Sequence, residues 1–308
     1  MTTHKIVFFG GKGGVGKSTS SSAYALQQAD QGKRVLLVST DPAHNLQDLF
    51  QKRIGHKVTS LTKQLDGLEI NAQEESKRYI KGVKENIKGL VHAHRLPEVH
   101  RQIDLAASSP GADESALFDR LVSIILEHTS TYDSIIFDTA PTGHTIRLLT
   151  LPELMEAWIN GMLKRRKVVT DNYSSLLNDG EPVEDPIYQT LMERKRKFSL
   201  ARTWLLDNEK TRFLYVLTPE KLPIEETDRA IEQLKKHQMD VSGLIVNKCL
   251  PDEANDSAFF KQRKQLEDGY KEEIQQRFIR QSKVFVPLQE RDIASVEELR
   301  TLQPYLTI

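Results

Sequence analysis

Residues 11–19 read G-K-G-G-V-G-K-S-T, and this stretch decides the fold. It follows an apolar run at residues 6–9 and precedes a helix-like run at residues 20–31. A strand, a glycine-rich loop and a helix in that order form the context of a phosphate-binding loop. Glycine lets the backbone wrap closely around an anion, and the N–H groups that open the helix point at phosphate oxygens. We therefore predict that the chain binds a nucleotide.

Every position of this loop is a predicted nucleotide contact. Lys17 is expected to reach the β and γ phosphates, and Ser18 to hold Mg²⁺ through its hydroxyl group. A chance glycine turn is the alternative, which the flanking strand and helix disfavour. The predicted nucleotide-binding residues of the loop are Gly11, Lys12, Gly13, Gly14, Val15, Gly16, Lys17, Ser18 and Thr19.

Composition limits the class of protein and its partners. The chain has 308 residues, of which 38% are apolar and 28% charged, as is typical of a globular protein. Basic and acidic residues number 43 each, so no net charge favours a nucleic acid, and we expect no such partner. No apolar run approaches the roughly 20 residues that span a bilayer. A strand is predicted within five residues of the start, which leaves no room for a signal peptide. A single cysteine, Cys249, indicates a reducing compartment, and we expect a cytoplasmic location.

Short apolar runs alternate with helix-like segments along the chain. Further strands are predicted at residues 34–40, 67–71, 134–139, 212–218, 241–247 and 284–288. This alternation predicts an α/β fold, a doubly wound and mostly parallel sheet with flanking helices. We expect one domain over residues 1–308, with helical insertions at about 74–102 and 151–207 that are candidates for a client or partner subdomain. Residues 74–100 read as a single packed helix.

Two acidic residues follow predicted strands. Asp41 lies just beyond the strand at 34–40, where a carboxylate beside a γ-phosphate can orient or deprotonate the attacking water. An N-cap for a following short helix is an equally good interpretation of Asp41. Asp138 ends the apolar run at 134–138, as does the carboxylate that holds Mg²⁺, directly or through water, in phosphate-loop enzymes. In the loop that follows, Gly143 allows the backbone to approach the γ-phosphate.

The residues after the strand at 241–247 bear on the choice of base. A guanine-selective loop reads N-K-x-D, because its carboxylate recognises the guanine ring. Here Asn247 and Lys248 are followed by Leu250 at the position of that Asp. The chain therefore lacks the carboxylate that recognises guanine, and ATP is the predicted nucleotide. Pro287, at the end of the last strand, is placed to close over a base.

Four motifs together resemble one family. Besides the glycine loop, they are D-P-A-H-N at residues 41–45, D-T-A-P-T-G-H-T-I-R-L-L at 138–149 and P-E-K-L-P-I-E-E-T-D-R at 219–229. They are similar to the arsenite-pump ATPases and the ATPases that target tail-anchored proteins, over nearly the whole chain. The resemblance implies a deviant Walker A ATPase, built from a doubly wound nucleotide domain with a helical insertion, that works as an ATP-driven homodimer.

The resemblance also implies roles for particular residues. Lys12 would reach the phosphates in the facing subunit, and Asp41 would handle the attacking water, so Asp41, Lys12 and Lys17 are the expected catalytic residues. Ser18 and Asp138 would hold Mg²⁺. Nucleotide contacts outside the loop would be Asn45, which lies across the dimer interface, Glu226, and the adenine neighbours Asn247 and Pro287. The expected switch loops are Asp41, Pro42, Ala43 and His44, and Asp138, Thr139, Ala140, Pro141, Thr142 and Gly143.

The chain departs from the family in its cysteines. Members that respond to metalloid use three cysteines, since As(III) prefers thiolates, and the pump subunit often carries two glycine loops. This chain has one cysteine and one glycine loop. No C-x-x-C zinc pair follows Asn247, and an iron–sulfur cluster needs more thiolates. The expected cofactors are therefore ATP and Mg²⁺, with neither zinc nor a cluster.

Three functions remain open for the ATPase. It drives a membrane pump subunit, it binds a hydrophobic client segment such as that of a tail-anchored protein, or it positions cargo on a membrane or DNA. The last is the least favoured, because residues 299–308 lack the character of a basic amphipathic helix.

Overall fold

The computed structural model describes residues 4–41, 45–87, 96–107, 112–139, 160–161, 163–164, 186–251 and 257–308. The chain divides into two compact units. The first comprises Met1–Asn71, Glu127–Ile146 and Leu205–Ile308, and the second comprises Ala72–Leu126 and Arg147–Trp204. The assignment of the helical insertions to a partner or client subdomain stays a prediction.

The first unit is built on an eight-stranded sheet within the described residues. The strands are β1 (Ile6–Gly11), β2 (Val35–Ser39), β3 (Thr59–Ser60), β4 (Leu65–Glu69), β5 (Ser134–Asp138), β6 (Thr211–Leu217), β7 (Val241–Cys249) and β8 (Ser282–Pro287). Their order is β3-β4-β2-β5-β1-β6-β7-β8. The pair β3–β4 is antiparallel, and the other neighbours are parallel. The predicted α/β fold with a mostly parallel sheet is therefore confirmed.

Helices follow most strands, as the doubly wound fold requires. They are α1 (Lys17–Asp30), α2 (Asn45–Phe50), α3 (Ala72–Ile87), α4 (Leu96–Ala107), α5 (Ala112–His128), α6 (Pro186–Leu206), α7 (Lys221–Lys236), α8 (Ala258–Arg277) and α9 (Val296–Thr301). Within the range predicted as a packed helix, residues 74–100, the structure describes α3 up to Ile87 and α4 from Leu96, and residues 88–95 lie outside the described residues, so a single helix stays a prediction. Pro97 suits the first turn of α4, where its missing N–H group breaks no helical hydrogen bond.

The centre of the sheet is buried and mostly apolar. Strands β1, β2 and β5 are buried along their whole length, and such nearly continuous apolar runs are typical of parallel strands covered on both faces. The ring of Phe8 stacks on Phe137 and Phe213 on the neighbouring strands, with centroids 4.8 and 5.2 Å apart. This packing fixes the end of β1, where the glycine loop begins, beside the end of β5, where Asp138 lies.

The described part of the second unit is helical. The rings of Phe118 on α5 and Phe198 on α6 pack 5.4 Å apart. Arg194 lies over the ring of Tyr79 at 4.7 Å and forms an ion pair with Asp119 at 3.8 Å. One residue of the basic run at 194–197 is thus used inside the unit. Among the helices that the structure describes, none is long and apolar enough to cross a membrane.

Candidate nucleotide site

The parallel strands end together at one edge of the sheet, here called the carboxyl edge, and a cavity of about 690 Å³ opens there. Its volume falls in the range of small-molecule sites, and its position is where ligands bind in open α/β sheets. Nine predicted site residues line it: Gly13, Gly14, Gly16, Lys17, Ser18, Thr19, Asp41, Asn247 and Pro287. The cavity therefore collects residues from the glycine loop and from the ends of β2, β7 and β8.

Some predicted residues lie elsewhere or cannot be placed. Among the described residues, Gly11, Lys12, Val15, Asp138, Thr139 and Glu226 are absent from the cavity lining. Val15 is buried, and Thr139 donates its hydroxyl hydrogen to the carbonyl oxygen of Phe9 at 2.7 Å. Pro42, Ala43, His44, Ala140, Pro141, Thr142, Gly143 and the side chain of Asn45 lie outside the part of the chain that the structure describes.

Lys17 opens helix α1 and is a buried cation. Only 5% of the residue is exposed, and its ammonium group donates to the carbonyl oxygen of Lys12 at 3.1 Å. Burial lowers the pKa of Lys17, while the carboxylates of Asp138 and Asp41 oppose that shift. A buried ammonium group at the start of a helix, with further N–H groups beside it, is a ready site for phosphate oxygens.

Gly16 is the residue that brings the loop against the end of β7. Its backbone is left-handed, with φ at 94°, and a Cβ atom there would lie 2.3 Å from the side-chain nitrogen of Asn247. That nitrogen donates to the carbonyl oxygen of Val15 at 2.9 Å. Asn247, predicted to flank adenine, thus lines the cavity and also fastens the loop to β7.

Lys248 is a site residue that the sequence analysis did not predict. Its ammonium group donates to the carbonyl oxygen of Gly14 at 2.9 Å, and its φ of 59° is unusual for a residue with a side chain. Two residues later, the N–H of Leu250 donates to the carboxylate of buried Glu267 at 3.0 Å, and that carboxylate pairs with Lys271 at 2.7 Å. The N-K pair at 247–248 was the available signal, but it was considered only for base selection.

Asp138 is a fully buried carboxyl group at the end of β5. Neither of its oxygens accepts a hydrogen bond of normal geometry from a described residue. Burial raises the pKa of Asp138 to about 7, although the hydroxyl groups of Ser18 and Ser39 and the charge of Lys17 lower it in part. A buried carboxylate without hydrogen-bond donors is costly unless a cation balances it. Oxygen atoms of Asp138 and Ser18 are the hard donors that suit Mg²⁺.

Asp41 lines the cavity at the end of β2 and is partly buried. Its backbone N–H donates to the hydroxyl oxygen of Ser39 at 3.2 Å. Residues 42–44, between Asp41 and the described start of α2 at Asn45, lie outside the described residues. A role toward a ligand in the cavity and an N-cap of a following helix therefore both stay predictions for Asp41.

Lys12 and Glu226 form an ion pair with each other. The ammonium nitrogen lies 3.1 Å from a carboxylate oxygen of Glu226 on α7, and about a third of each side chain is exposed, 36% and 34%. The ammonium group of Lys12 is thus paired with α7, and Lys12 does not line the cavity. Glu226, an expected nucleotide contact, here binds that lysine instead.

The far end of the cavity is formed by the loop that follows β8. The carbonyl oxygen of Pro287 accepts a hydrogen bond from the side-chain nitrogen of Gln289 at 2.8 Å, and Leu288 donates its N–H to the carbonyl oxygen of Cys249 at 2.7 Å. Arg291 and Asp292 also line this end, and no pattern in the sequence indicated them. The thiol of Cys249 is buried, and burial raises its pKa to about 11.

Comparisons with known proteins match the motif resemblance. The family model described as "Anion-transporting ATPase" matches residues 4–307. Over 304 residues, and over 99% of each chain, the sequence is 36% identical to a candidate "arsenical pump-driving ATPase 2" of Aquifex aeolicus (strain VF5). It is 31% identical to "ATPase ASNA1 homolog 1" of Paramecium tetraurelia, over 97% of this chain and 91% of that one. It is 32% identical to "ATPase GET3" of Chaetomium globosum, over 97% and 89%. The resemblance stated from the motifs is therefore confirmed.

Proposed function

The chain belongs to the anion-transporting ATPase family, and on that premise we propose that it hydrolyses ATP with Mg²⁺ as a homodimer and couples its nucleotide state to a partner protein. The observation that carries the proposal is the pair of buried charges at the glycine loop. Lys17 offers a desolvated cation to phosphate, and Asp138 offers a buried carboxylate that accepts no hydrogen bond of normal geometry from a described residue. Each group is costly alone and becomes favourable once a nucleotide and a divalent cation are bound.

Each residue of the site has a separate role in phosphoryl transfer. Lys17 and the N–H groups that open α1 bind and orient the phosphates, and Ser18 and Asp138 hold Mg²⁺. When bound, Mg²⁺ neutralises the charge on the phosphate oxygens. Asp41 orients or deprotonates the attacking water, and its position in the cavity wall supports this role. These roles rely on positioning and charge, which supply most of the catalysis of this reaction.

Lys12 acts on the nucleotide of a second copy in this proposal. Its ammonium group is paired with Glu226 and partly exposed, and Lys12 does not line the cavity of its own chain. An ion pair this exposed contributes only about 0–1 kcal/mol. The triphosphate of a facing copy, with several negative charges, can therefore displace Glu226 as the partner of Lys12.

A membrane pump subunit is the first candidate for the coupled partner, since relatives carry the name arsenical pump-driving ATPase. The chain's one cysteine is buried, so a set of three thiolates for As(III) cannot form within a single chain. We propose coupling that does not depend on metalloid binding to this chain, in a reducing compartment that we take to be the cytoplasm.

A hydrophobic client segment is the second candidate, and one observation favours it. Helices of the second unit carry large apolar side chains that are exposed, namely Leu105 (64%), Met192 (40%) and Leu200 (47%). An apolar peptide captured in the presence of a non-cleavable ATP analogue, and lost in Leu105→Asp with Leu200→Asp, would support this role. Equal capture by that variant would count against it.

The proposed chemistry is tested by replacing Asp41 with asparagine. The variant should bind ATP with unchanged affinity and lose turnover by about 10²–10⁴-fold, the usual worth of a general base. Asp240→Asn, at an exposed turn before β7, is the matched control and should hydrolyse at the normal rate. Turnover should also vanish when EDTA removes Mg²⁺. Normal hydrolysis by Asp41→Asn would show that another group handles the water.

A further inference from the structure

Two phenylalanine side chains project from the first turn of α8. Phe259 is 71% exposed and Phe260 is 43% exposed, although phenylalanine is usually buried. Their rings meet edge to face with centroids 5.5 Å apart, so they form one apolar unit, here called the aromatic tip. Exposed aromatic residues in a cluster mark sites of interaction more often than isolated ones do.

The aromatic tip stands beyond the carboxyl edge of the sheet. Glu267, farther along α8, is level with that edge because its carboxylate holds the N–H of Leu250, just after β7. Helix α8 then descends toward the start of β8, so its first turns rise past the edge. With a rise of about 1.5 Å per residue, Phe260 and Phe259 stand about 10–12 Å beyond the level of Glu267. An ion pair of 2.7 Å between Arg263 and Glu220 fastens this part of α8 to the start of α7.

The same edge carries the glycine loop and the Lys12–Glu226 pair. Leu222, in the first turn of α7 and one turn before Glu226, is also exposed, at 54%. The carboxyl edge thus combines exposed apolar side chains with positively and negatively charged side chains that form ion pairs. By contrast Ile279, at the other end of α8, is 81% exposed but lies toward the opposite edge of the sheet.

We propose that the aromatic tip is the apolar contact through which a second copy of this chain docks on the carboxyl edge. This inference rests on the proposed homodimer and names part of its interface. A two-fold contact uses the same surface on both partners, so a patch that continues the edge bearing Lys12 would be buried on both copies. The chain has no net charge, and the edge has both signs, so two copies meet without repulsion.

The size of the aromatic tip favours this occupant over an independent partner. Two phenylalanine side chains bury about 150–250 Å² each at most. A stable interface buries about 800 Å² on each partner, so the tip cannot hold a separate protein alone. As part of a contact that also covers the cavity and the Lys12–Glu226 pair, it supplies the desolvated centre where interface energy concentrates.

The test compares Phe259→Asp with Ile279→Asp, which places the same charge at an even more exposed apolar site, in the turn just after the same helix. Sedimentation equilibrium of the full chain is measured with Mg²⁺ and a non-cleavable ATP analogue. Phe259→Asp should raise the dimer dissociation constant by about 100-fold or more, since the change occurs twice in each dimer. Ile279→Asp should leave it within about threefold of the wild type. Phe259→Leu, which keeps the apolar contact, should lie between them.

The outcomes separate this inference from the proposed function. A wild-type chain that stays monomeric with the analogue overturns both. A wild-type dimer that Phe259→Asp leaves equally tight overturns only the role of the aromatic tip. Equal weakening by Phe259→Asp and Ile279→Asp overturns it as well, because the effect would then follow from charge alone. Loss of binding to an apolar peptide without loss of the dimer would assign the tip to a client instead. Melting curves and circular dichroism of each variant exclude misfolding as the cause.

Discussion

Replacing Asp138 by asparagine should stabilise the folded protein at alkaline pH while it abolishes ATP hydrolysis. The carboxyl group is fully buried, and its pKa is about 7 in the folded chain against an ordinary value of 3.8. Above pH 7 the free protein must therefore hold a buried, ionised carboxylate that accepts no hydrogen bond of normal geometry from a described residue. Asparagine removes that charge at nearly the same size.

The sign and size of the effect follow from proton linkage. Between about pH 4 and pH 7 the unfolded chain releases a proton that the folded chain retains, so this group lowers stability as the pH rises. The shift from 3.8 to about 7 corresponds to about 4 kcal/mol. The stabilisation by Asp138→Asn should thus approach 4 kcal/mol at pH 8 and shrink to about 0.5 kcal/mol at pH 4. It should fall short of that limit, since Lys17 loses a nearby opposite charge.

The assay is the difference in melting temperature between variant and wild type from pH 4 to pH 8, without metal or nucleotide. For a unit of about 200 residues, 4 kcal/mol corresponds to a rise on the order of 10 °C at pH 8. Asp240→Asn, at its exposed turn, should show no such trend. Adding Mg²⁺ and the ATP analogue should raise the melting temperature of the wild type more than that of the variant. A constant or absent difference across this pH range would refute the reasoning.

Three further predictions concern the cavity wall and the buried cysteine. Gly16→Ala should weaken ATP binding at least tenfold in calorimetry, because its Cβ atom would collide with Asn247. The control is Gly32→Ala, which also has a positive φ, 89°, but has open space around it. It should cost about 1–2 kcal/mol of stability and leave the affinity for ATP intact. Asn247→Ala should raise the KM for ATP about tenfold, since the Val15 carbonyl loses its donor, and an unchanged KM would separate that bond from nucleotide binding. Arsenite should leave turnover unchanged in the wild type and in Cys249→Ser, because the thiol is buried with its pKa raised to about 11; stimulation that the serine variant loses would contradict this.

The glycine loop and the strands around it could be predicted because their signals are local in sequence. The glycine spacing, the apolar run before it and the helix after it lie within about 30 residues. The acidic ends of β2 and β5 were found in the same way. The strand predicted at 67–71 is observed at Leu65–Glu69, a shift within the usual uncertainty of strand ends.

The contacts that complete the site could not be predicted because they join distant parts of the chain. Lys248 reaches Gly14 across a separation of 234 residues, and Asn247 reaches Val15 across 232. These bonds exist because β6 lies between β1 and β7, and the order of strands is not encoded in any local pattern. The Lys12–Glu226 pair, which turns the loop lysine toward α7, has the same origin.

The central claim is that Lys12 serves the nucleotide of a facing copy while Asp41 serves its own. Lys12→Ala and Asp41→Asn should each be inactive alone, whereas an equal mixture should regain about a quarter of wild-type turnover, because half of the dimers are mixed and each has one complete site. A mixture that remains as inactive as its two components would contradict the claim.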